Sequence, residues 1–148
     1  MKEKIFLTEK DFSKLREQIK KNRGKEIVFS SDDDELNRKI LEKEKIDILL
    51  LNLKEKRDRQ KQRESGFDHV MAKLAKKNGV AIGINFDEII NSHGKNKADI
   101  LARIRQNVKI CNKEKLKMVF LKAKEKNIYD LKSLGLVLGM PTWMTKNL

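Results

Sequence analysis

Five short apolar runs, separated by segments with helical patterns, are the feature that most constrains the fold of this chain. The runs cover residues 5–7, 27–29, 46–51, 80–84 and 117–121. They are continuous rather than alternating, which is typical of strands buried on both faces of a parallel sheet. Because a helical segment separates each pair of strands, we predict an α/β fold of parallel βα units with right-handed crossovers.

The length of the chain limits how far such a series can close. Its 148 residues fall short of the roughly 200 or more that a closed (β/α)₈ barrel requires. The alternatives are a shortened or incomplete TIM-type barrel and a doubly wound sheet. We expect a single domain over residues 1–148, because the sequence shows no low-complexity linker and no internal repeat.

Three Ser/Thr-x-x-Asp patterns precede helical segments and have the spacing of capping boxes. They predict Thr8, Ser31 and Ser65 as N-caps, and Gly79 is predicted to end the third helix. A stripe of apolar residues follows the third cap and predicts a helix that faces the core: Phe67, Val70, Met71 and Leu74. The acidic residues 32–35 suit the first turn of the second helix better than a metal site, since negative charge there complements the helix dipole.

After the fourth strand, two further helices are predicted. A short segment at residues 87–90 precedes a polar turn at residues 91–96. The next helix is longer and is predicted to turn these residues inward: Ile100, Leu101, Ile104, Val108 and Cys111. The last helix is predicted near residues 129–140. Cys111, the single cysteine, excludes an internal disulfide, is expected in the core and fits a reducing cytoplasm.

The formal charge of +13 is distributed unevenly along the chain. Residues 1–53 hold 13 Lys and Arg against 12 Asp and Glu, a net charge of +1, whereas residues 54–148 hold 22 against 10, a net charge of +12. This asymmetry predicts one strongly positive surface with a polyanion as its partner, and the alternative is a surface that serves only solubility. No stretch approaches the ~20 apolar residues of a membrane span, so no membrane partner is expected.

Much of this charge follows the third predicted strand. Residues 54–64 contain six basic side chains: Lys54, Lys56, Arg57, Arg59, Lys61 and Arg63. A loop at the end of a buried strand is aimed by a rigid sheet, and Arg and Lys bind phosphate, so we predict an RNA-binding loop; a solvated loop without a partner is the alternative. His69 lies early in the next helix and is predicted either to contact a phosphate or to cap the turn. Few aromatic residues are available for base stacking, which favours recognition of folded RNA by its backbone or shape.

Catalytic groups of parallel α/β folds gather at the carboxyl ends of the strands. Here those positions hold Ser30, Ser31, Asn52, Lys54, Asn85, Asp87 and Lys122. The set lacks paired carboxylates, and the two histidines, His69 and His93, stand in separate segments, so a multinuclear metal centre is not expected. The glycines do not form a phosphate-binding loop either. We therefore predict no catalytic residue and no metal ligand in this polypeptide.

Two sequence blocks carry a family resemblance. The first is "RESGFDHVMAKLAKKNGVAIGINF", in which Gly66 to Leu74 form the helix motif, and the second is "YDLKSLGLVLGM" at residues 129–140. In this order the blocks resemble the archaeal ribonuclease P protein component three, a family homologous to the thirty-kilodalton eukaryotic subunit. The resemblance spans about residues 46–140. It adds Lys73 of the first block, and Arg103 and Arg105 of the helix between the blocks, to the predicted RNA-binding residues.

The resemblance implies a barrel of the polymerase-and-histidinol-phosphatase type that has lost its metal ligands. It further implies a protein subunit that supports a catalytic RNA in removing the 5′ leader from precursor tRNA, with Mg²⁺ used by the RNA and no cofactor bound by the protein. The implied partners are the ribonuclease P RNA, precursor tRNA and a small ferredoxin-like subunit, usually in a heterotetramer. Two alternatives stay open: an RNA-binding protein outside ribonuclease P, and a residual metal-dependent phosphoesterase on the same barrel.

Overall fold

Strands and helices alternate along the chain, as the sequence predicts. The computed structural model describes residues 3–54, 56–58, 63–122 and 126–148. Its strands are β1 (Lys4–Leu7), β2 (Glu26–Ser30), β3 (Ile48–Leu51), β4 (Ala81–Asn85) and β5 (Met118–Leu121). Its helices are α1 (Phe12–Lys21), α2 (Asp34–Lys43), α3 (His69–Asn78), α4 (Phe86–Asn91), α5 (Gly94–Lys113), α6 (Ile128–Val137) and α7 (Thr142–Thr145).

The five strands form one parallel sheet in the order in which they occur along the chain, β1-β2-β3-β4-β5. A doubly wound sheet reverses its strand order at a switch point, and this sheet has no reversal, so that alternative is wrong. The sheet is not closed among the described residues, because β1 and β5 each pair with one neighbour. The predicted α/β fold with an incomplete TIM-type barrel is confirmed.

The two faces of the sheet are covered differently. On one face, side chains such as Phe29, Leu49 and Ile82 are 0% exposed and belong to the main core, to which the helices also contribute. The other face carries a smaller cluster whose members in the described part of the chain all come from strands: Val28, Ile48, Leu50, Leu121, Ala81 and Val119. Helices on one face only are the arrangement expected of part of a barrel.

Gly83 lets side chains of the two neighbouring strands approach β4 closely at this smaller cluster. A Cβ atom built on Gly83 would lie 2.9 Å from Cδ1 of Leu121 and 3.1 Å from Cγ2 of Ile48. Leu121 is on β5 and Ile48 is on β3, so side chains from both neighbouring strands close over β4 at the point where it lacks a side chain. Glycine inside a strand commonly marks such a close approach.

The helices begin two to three residues later than the capping patterns predict. The N-caps are aspartates: Asp11 for α1, Asp33 for α2 and Asp68 for α3. The predicted caps Thr8, Ser31 and Ser65 are therefore wrong. Aspartate is as strong an N-cap as serine or threonine, and its charge also favours the positive end of the helix dipole. The acidic first turn of α2, Asp34 and Glu35, is confirmed.

The buried side of α3 is rotated relative to the predicted stripe. Val70, predicted to face the core, is 46% exposed, whereas Met71, Ala72 and Ala75 are buried. Phe67 is buried as expected, but it precedes the helix, so counting helical spacing from it gives the wrong phase. Gly79 ends α3 in the left-handed conformation with φ of 69°, as predicted.

The C-terminal elements differ from prediction mainly in their bounds. α5 begins at Gly94, inside the predicted polar turn, and Pro141 caps a further short helix, α7, that the sequence did not predict. Cys111 is 0% exposed on α5, which confirms its predicted core position, and burial raises the pKa of its thiol to about 12. None of the helices formed by the described residues has the length and apolar character of a membrane span.

Candidate nucleic-acid interface

Polar side chains at the carboxyl ends of three neighbouring strands form a hydrogen-bonded row. Asn52, which follows β3, donates from Nδ2 to Oγ of Ser30 over 2.7 Å. Asn85, at the end of β4, donates from Nδ2 to Oδ1 of Asn52 over 3.3 Å. Parallel strands bring these side chains to one edge of the sheet. The row consists of amides and a hydroxyl, which are not the usual acid–base groups of enzymes at neutral pH.

A pocket of about 390 Å³ lies beside this row. Its lining residues are Asp32, Asn52, Lys54, Lys56, Asn85 and Glu88. The backbone N–H of Leu53 donates to both carboxylate oxygens of Glu88, each over 3.0 Å. Burial raises the pKa of Glu88 above its ordinary value, although these N–H contacts partly offset the effect. Sequence reasoning missed Glu88, whose only signal is a carboxylate one turn after the end of β4.

We call residues 54–64, which follow β3, the basic loop. Lys54, Arg57 and Arg63 are exposed, so their charges are accessible to a polyanion. Arg59 and Lys61, two further predicted RNA-binding residues, lie outside the described residues. Exposed guanidinium groups bind phosphate through paired donors, whereas the Lys54 ammonium acts as a point charge.

Lys56 is less accessible than Lys54 and Arg57, which are exposed. Its side chain is 14% exposed, and its Nζ forms an ion pair with Oδ1 of Asp34, the first residue of α2. Gly66 packs against this pair, since a Cβ there would lie 2.7 Å from Oδ1 of Asp34 and 2.9 Å from Nζ of Lys56. The ion pair therefore anchors the start of the basic loop to α2. A contact between Lys56 and RNA stays a prediction.

Arg103 of α5 is buried beneath the basic loop, with 4% of its surface exposed. Its Nε donates to the carbonyl of Glu64 over 2.9 Å. Its Nη2 donates to the carbonyl of Lys56 over 2.9 Å and to Oδ1 of Asp58 over 3.0 Å. The guanidinium thus contacts both ends of the loop. A direct contact of Arg103 with RNA stays a prediction, and these protein acceptors do not favour it.

Asp58, an exposed residue near the start of the loop, contacts the end of the loop through its carboxylate. Its Oδ1 accepts the backbone N–H of Glu64 over 2.9 Å, in addition to the contact from Arg103. The Glu64 N–H and, to a smaller extent, Arg103 hold the pKa of Asp58 below its ordinary value. Sequence reasoning missed this residue, and its signal was a carboxylate placed among arginines and lysines.

Two further side chains of α5 contact the end of the basic loop. Nε2 of Gln106 donates to the carbonyl of Arg63 over 3.2 Å. Oδ1 of Asn107 accepts the hydroxyl of Ser65 over 2.7 Å, and that hydroxyl also lies 3.2 Å from the carbonyl of Phe67. The same face of α5 therefore supports the loop from Arg63 to Phe67. An amide among the apolar residues predicted to face inward on α5 was the available sequence signal for Asn107.

The remaining predicted residues lie on helices. His69 is the exposed first residue of α3, and Asp68 provides the side-chain cap, so the capping alternative for His69 is wrong. Lys73 is exposed one turn further along the same side of α3. Arg105 is exposed and donates from Nη2 to the carbonyl of Val137 over 3.2 Å, which places it against α6 rather than the basic loop. Phosphate contacts of these three residues stay predictions.

The described residues contain no group of three or more His, Cys, Asp or Glu side chains arranged to hold a metal ion. What the arrangement offers is cationic and exposed: Lys54, Arg57 and Arg63 at the carboxyl edge of the sheet, with basic residues on α3 nearby in sequence. Such a surface binds phosphate groups and releases their counterions. It is suited to binding a nucleic acid.

Known proteins with similar sequences identify the family of this chain. The sequence matches the family model described as RNase P subunit p30 over residues 4–147. Ribonuclease P protein component 3 of Methanocaldococcus jannaschii is 32% identical over 139 residues, which cover 89% of this chain and 57% of that protein. The protein of the same name from Methanococcus maripaludis strain C7 is 27% identical over 143 residues, covering 95% and 59%. The chain thus spans less than two thirds of the length of these relatives.

The fold matches as well. A chain in the cryo-EM structure of archaeal ribonuclease P with mature tRNA has a TM-score of 0.77 and 28% identity to this chain. The match covers 97% of this chain and 62% of that one. Family model, relatives and fold agree over nearly every described element and confirm the resemblance inferred from the two sequence blocks. The chain belongs to the RNase P subunit p30 family.

Proposed function

We propose that this chain acts as a protein subunit of ribonuclease P, binding and supporting the catalytic RNA that removes the 5′ leader from precursor tRNA. The observation that carries the proposal is the family match over residues 4–147, and the structural match to a chain of archaeal ribonuclease P supports it. The chain spans 59% and 57% of the length of the two component 3 relatives, and the activity of the whole protein is part of the proposal.

The RNA-binding part of the proposal rests on charge and exposure. Residues 54–148 carry a net charge of +12, and the basic loop presents Lys54, Arg57 and Arg63 to solvent. Each phosphate neutralised by such a side chain releases condensed counterions, so affinity is expected to fall steeply with salt. Contacts of this kind read the backbone and shape of RNA rather than its sequence.

The chemistry of leader removal is assigned to the RNA. We propose that Mg²⁺ is bound and used by the RNA and that the protein binds no cofactor. This division is supported by the strand-end row, in which Ser30, Asn52 and Asn85 hydrogen-bond to one another. The contribution of the protein is then electrostatic: positive charge that lowers the Mg²⁺ concentration needed to fold and activate a polyanion.

A protein partner forms the next part of the proposal. We infer that a small ferredoxin-like subunit binds this chain, in a heterotetramer with two copies of each. An exposed apolar stripe on α6 supports such a contact, since Tyr129 is 72% exposed, Leu136 55% and Val137 69%. Helices of soluble proteins normally keep their solvent-exposed side polar, and an exposed apolar patch marks an interaction site.

We propose the cytoplasm as the compartment of this protein, because a single reduced cysteine suits a reducing environment.

Reconstitution tests the proposal. Precursor tRNA is cleaved by the cognate catalytic RNA at a series of Mg²⁺ concentrations, with and without this protein and its small partner. We expect the protein pair to lower the Mg²⁺ concentration required for half-maximal cleavage. An unchanged Mg²⁺ requirement, with both proteins folded, would contradict the proposed function.

The two alternative functions give different outcomes. Capture of the RNA that copurifies with the protein is expected to recover ribonuclease P RNA. Recovery of unrelated RNAs in its place would support an RNA-binding role outside ribonuclease P. Turnover of a phosphate ester with a bound divalent ion would support a residual phosphoesterase.

A further inference from the structure

The basic loop is held from below by a cationic side chain that is itself buried. Arg103 is 4% exposed, and its donors reach the carbonyls of Lys56 and Glu64 and the carboxylate of Asp58. Arginine is suited to this position, because its planar guanidinium presents several donors in a fixed fork. We call these four residues the stem clamp.

The stem clamp fixes the backbone beside Arg57 and Arg63, the two exposed arginines among the described residues of the loop. Arg57 lies between Lys56 and Asp58, which both accept from Arg103. Arg63 precedes Glu64, whose N–H and carbonyl both belong to the clamp. The carbonyl of Arg63 accepts from Gln106. The two exposed guanidinium groups are thus attached to backbone segments that are tied to each other and to α5.

We propose that Arg103 is a positioning residue for RNA: through the stem clamp it holds Arg57 and Arg63 in a fixed arrangement for the phosphates of a folded RNA. The inference rests on the proposed function, since it specifies how the same surface binds RNA. Side chains whose backbone is already held lose less conformational entropy on binding, and a larger share of their contact energy remains as affinity.

This role is distinct from a direct contact between Arg103 and phosphate. A guanidinium buried among protein acceptors acts on RNA through other residues, whereas an exposed one acts through its own charge. The two roles make opposite predictions for the partner carboxylate. If charge alone mattered, removing the negative charge of Asp58 would strengthen RNA binding.

The decisive variant is Asp58→Asn in the full chain, with binding to the cognate ribonuclease P RNA transcript measured over a range of salt concentrations. Asparagine keeps the size of the side chain but weakens both charge-assisted contacts, to Arg103 and to the Glu64 N–H. We expect binding to weaken by about tenfold, although the protein gains positive charge. The matched control, Asp130→Asn, changes the charge by the same amount at an exposed position on α6 and is expected to bind equally or slightly more tightly.

A second variant, Arg103→Lys, preserves the charge and removes the fork of donors. We expect its affinity to fall and the slope of log K against log salt to flatten by more than about 0.7 to 0.9, the value of one phosphate contact. If Arg103→Lys binds RNA with the affinity and salt slope of the wild-type protein, Arg103 contacts phosphate directly through its charge, and the positioning role is overturned. Thermal unfolding of each variant shows whether the fold is retained.

The outcomes separate this inference from the proposed function. Wild-type protein that binds no ribonuclease P RNA would overturn the proposed function and the clamp together. Wild-type protein that binds, with Asp58→Asn binding as tightly or more tightly, would overturn the clamp alone. Weakened binding by Asp58→Asn beside unchanged binding by Asp130→Asn is the result that the stem clamp predicts.

Discussion

The hydroxyl of Ser65 donates to Oδ1 of Asn107 over 2.7 Å, and the two residues are 1% and 2% exposed. This contact connects the residue that follows the basic loop to the middle of α5 across 42 residues of sequence. Buried polar groups are costly to leave without a partner, so each of the two groups depends on the other. The loop that presents positive charge to solvent is therefore attached to the core by polar contacts.

Replacing Ser65 by alanine is expected to leave the Asn107 carboxamide oxygen without this donor. The free energy of unfolding should fall by about 1–3 kcal/mol, the cost of an unsatisfied buried group. Urea denaturation measures this change in the free energy of unfolding. The control is Ser13→Ala at an exposed position of α1, which is expected to change stability by less than about 0.5 kcal/mol. Equal stability of the two variants would show that the Ser65–Asn107 contact contributes nothing.

Adding a side chain at position 83 should destabilise the sheet. Gly83→Val places atoms where Leu121 of β5 and Ile48 of β3 now lie, so we expect a loss of about 1–3 kcal/mol from overpacking. Adding Leu121→Ala opens space beside the new side chain. Denaturation of the double variant should therefore give a total loss smaller than the sum of the two single losses. Strict additivity would contradict the close approach of these strands.

Glu88 predicts a specific dependence of stability on pH. Because burial raises its pKa in the folded state above the ordinary value of 4.5, the folded protein binds the proton more tightly than the unfolded chain. The resulting stabilisation is fully present below pH 4.5 and is lost as the pH rises through the folded-state pKa. Relative to Glu88→Gln, the wild-type protein should therefore gain stability as the pH is lowered from 7 to 4. A difference that is constant with pH would contradict the raised pKa.

Negative charge placed in the exposed apolar stripe on α6 is expected to weaken binding of the small partner subunit. Tyr129→Glu and Leu136→Glu change side chains that are 72% and 55% exposed, so the fold should tolerate them. A charge inside an apolar contact is costly, and binding to the small partner subunit should weaken by tenfold or more, about 1.4 kcal/mol or above. Sedimentation of the mixed proteins measures binding of the partner subunit. Ser13→Glu on α1 is the control, because it adds the same charge away from α6. Unchanged assembly would place the partner elsewhere.

Most of the fold was predictable because its signals are local. Each strand of the sheet is a run of adjacent apolar residues, and this pattern also indicated that the strands are parallel. The starts of the helices were not predictable to the residue. Ser31 and Asp33 are chemically equivalent capping signals two positions apart, and the phase of α3, including the exposure of Val70, depends on which residue begins the helix.

The site was predictable as a region but not residue by residue. Its charge and its location after β3 follow from the sequence. The ion pair of Lys56 with Asp34 joins residues 22 positions apart, and the contact of Arg103 with Asp58 joins residues 45 positions apart. No local pattern distinguishes a basic residue that is paired inside the protein from one that is free to contact phosphate. That distinction requires the tertiary structure.

The salt dependence of RNA binding tests most directly whether the basic loop contacts phosphate. We compare the wild-type chain with the triple replacement of Arg57, Arg59 and Arg63 by alanine, and with a control that removes three basic residues, Lys14, Lys20 and Arg23, from the N-terminal third. The loop variant is expected to lose about 2 to 3 units of slope in log K against log salt, while the control keeps the wild-type slope. Identical slopes for the wild-type protein and the loop variant would contradict this expectation.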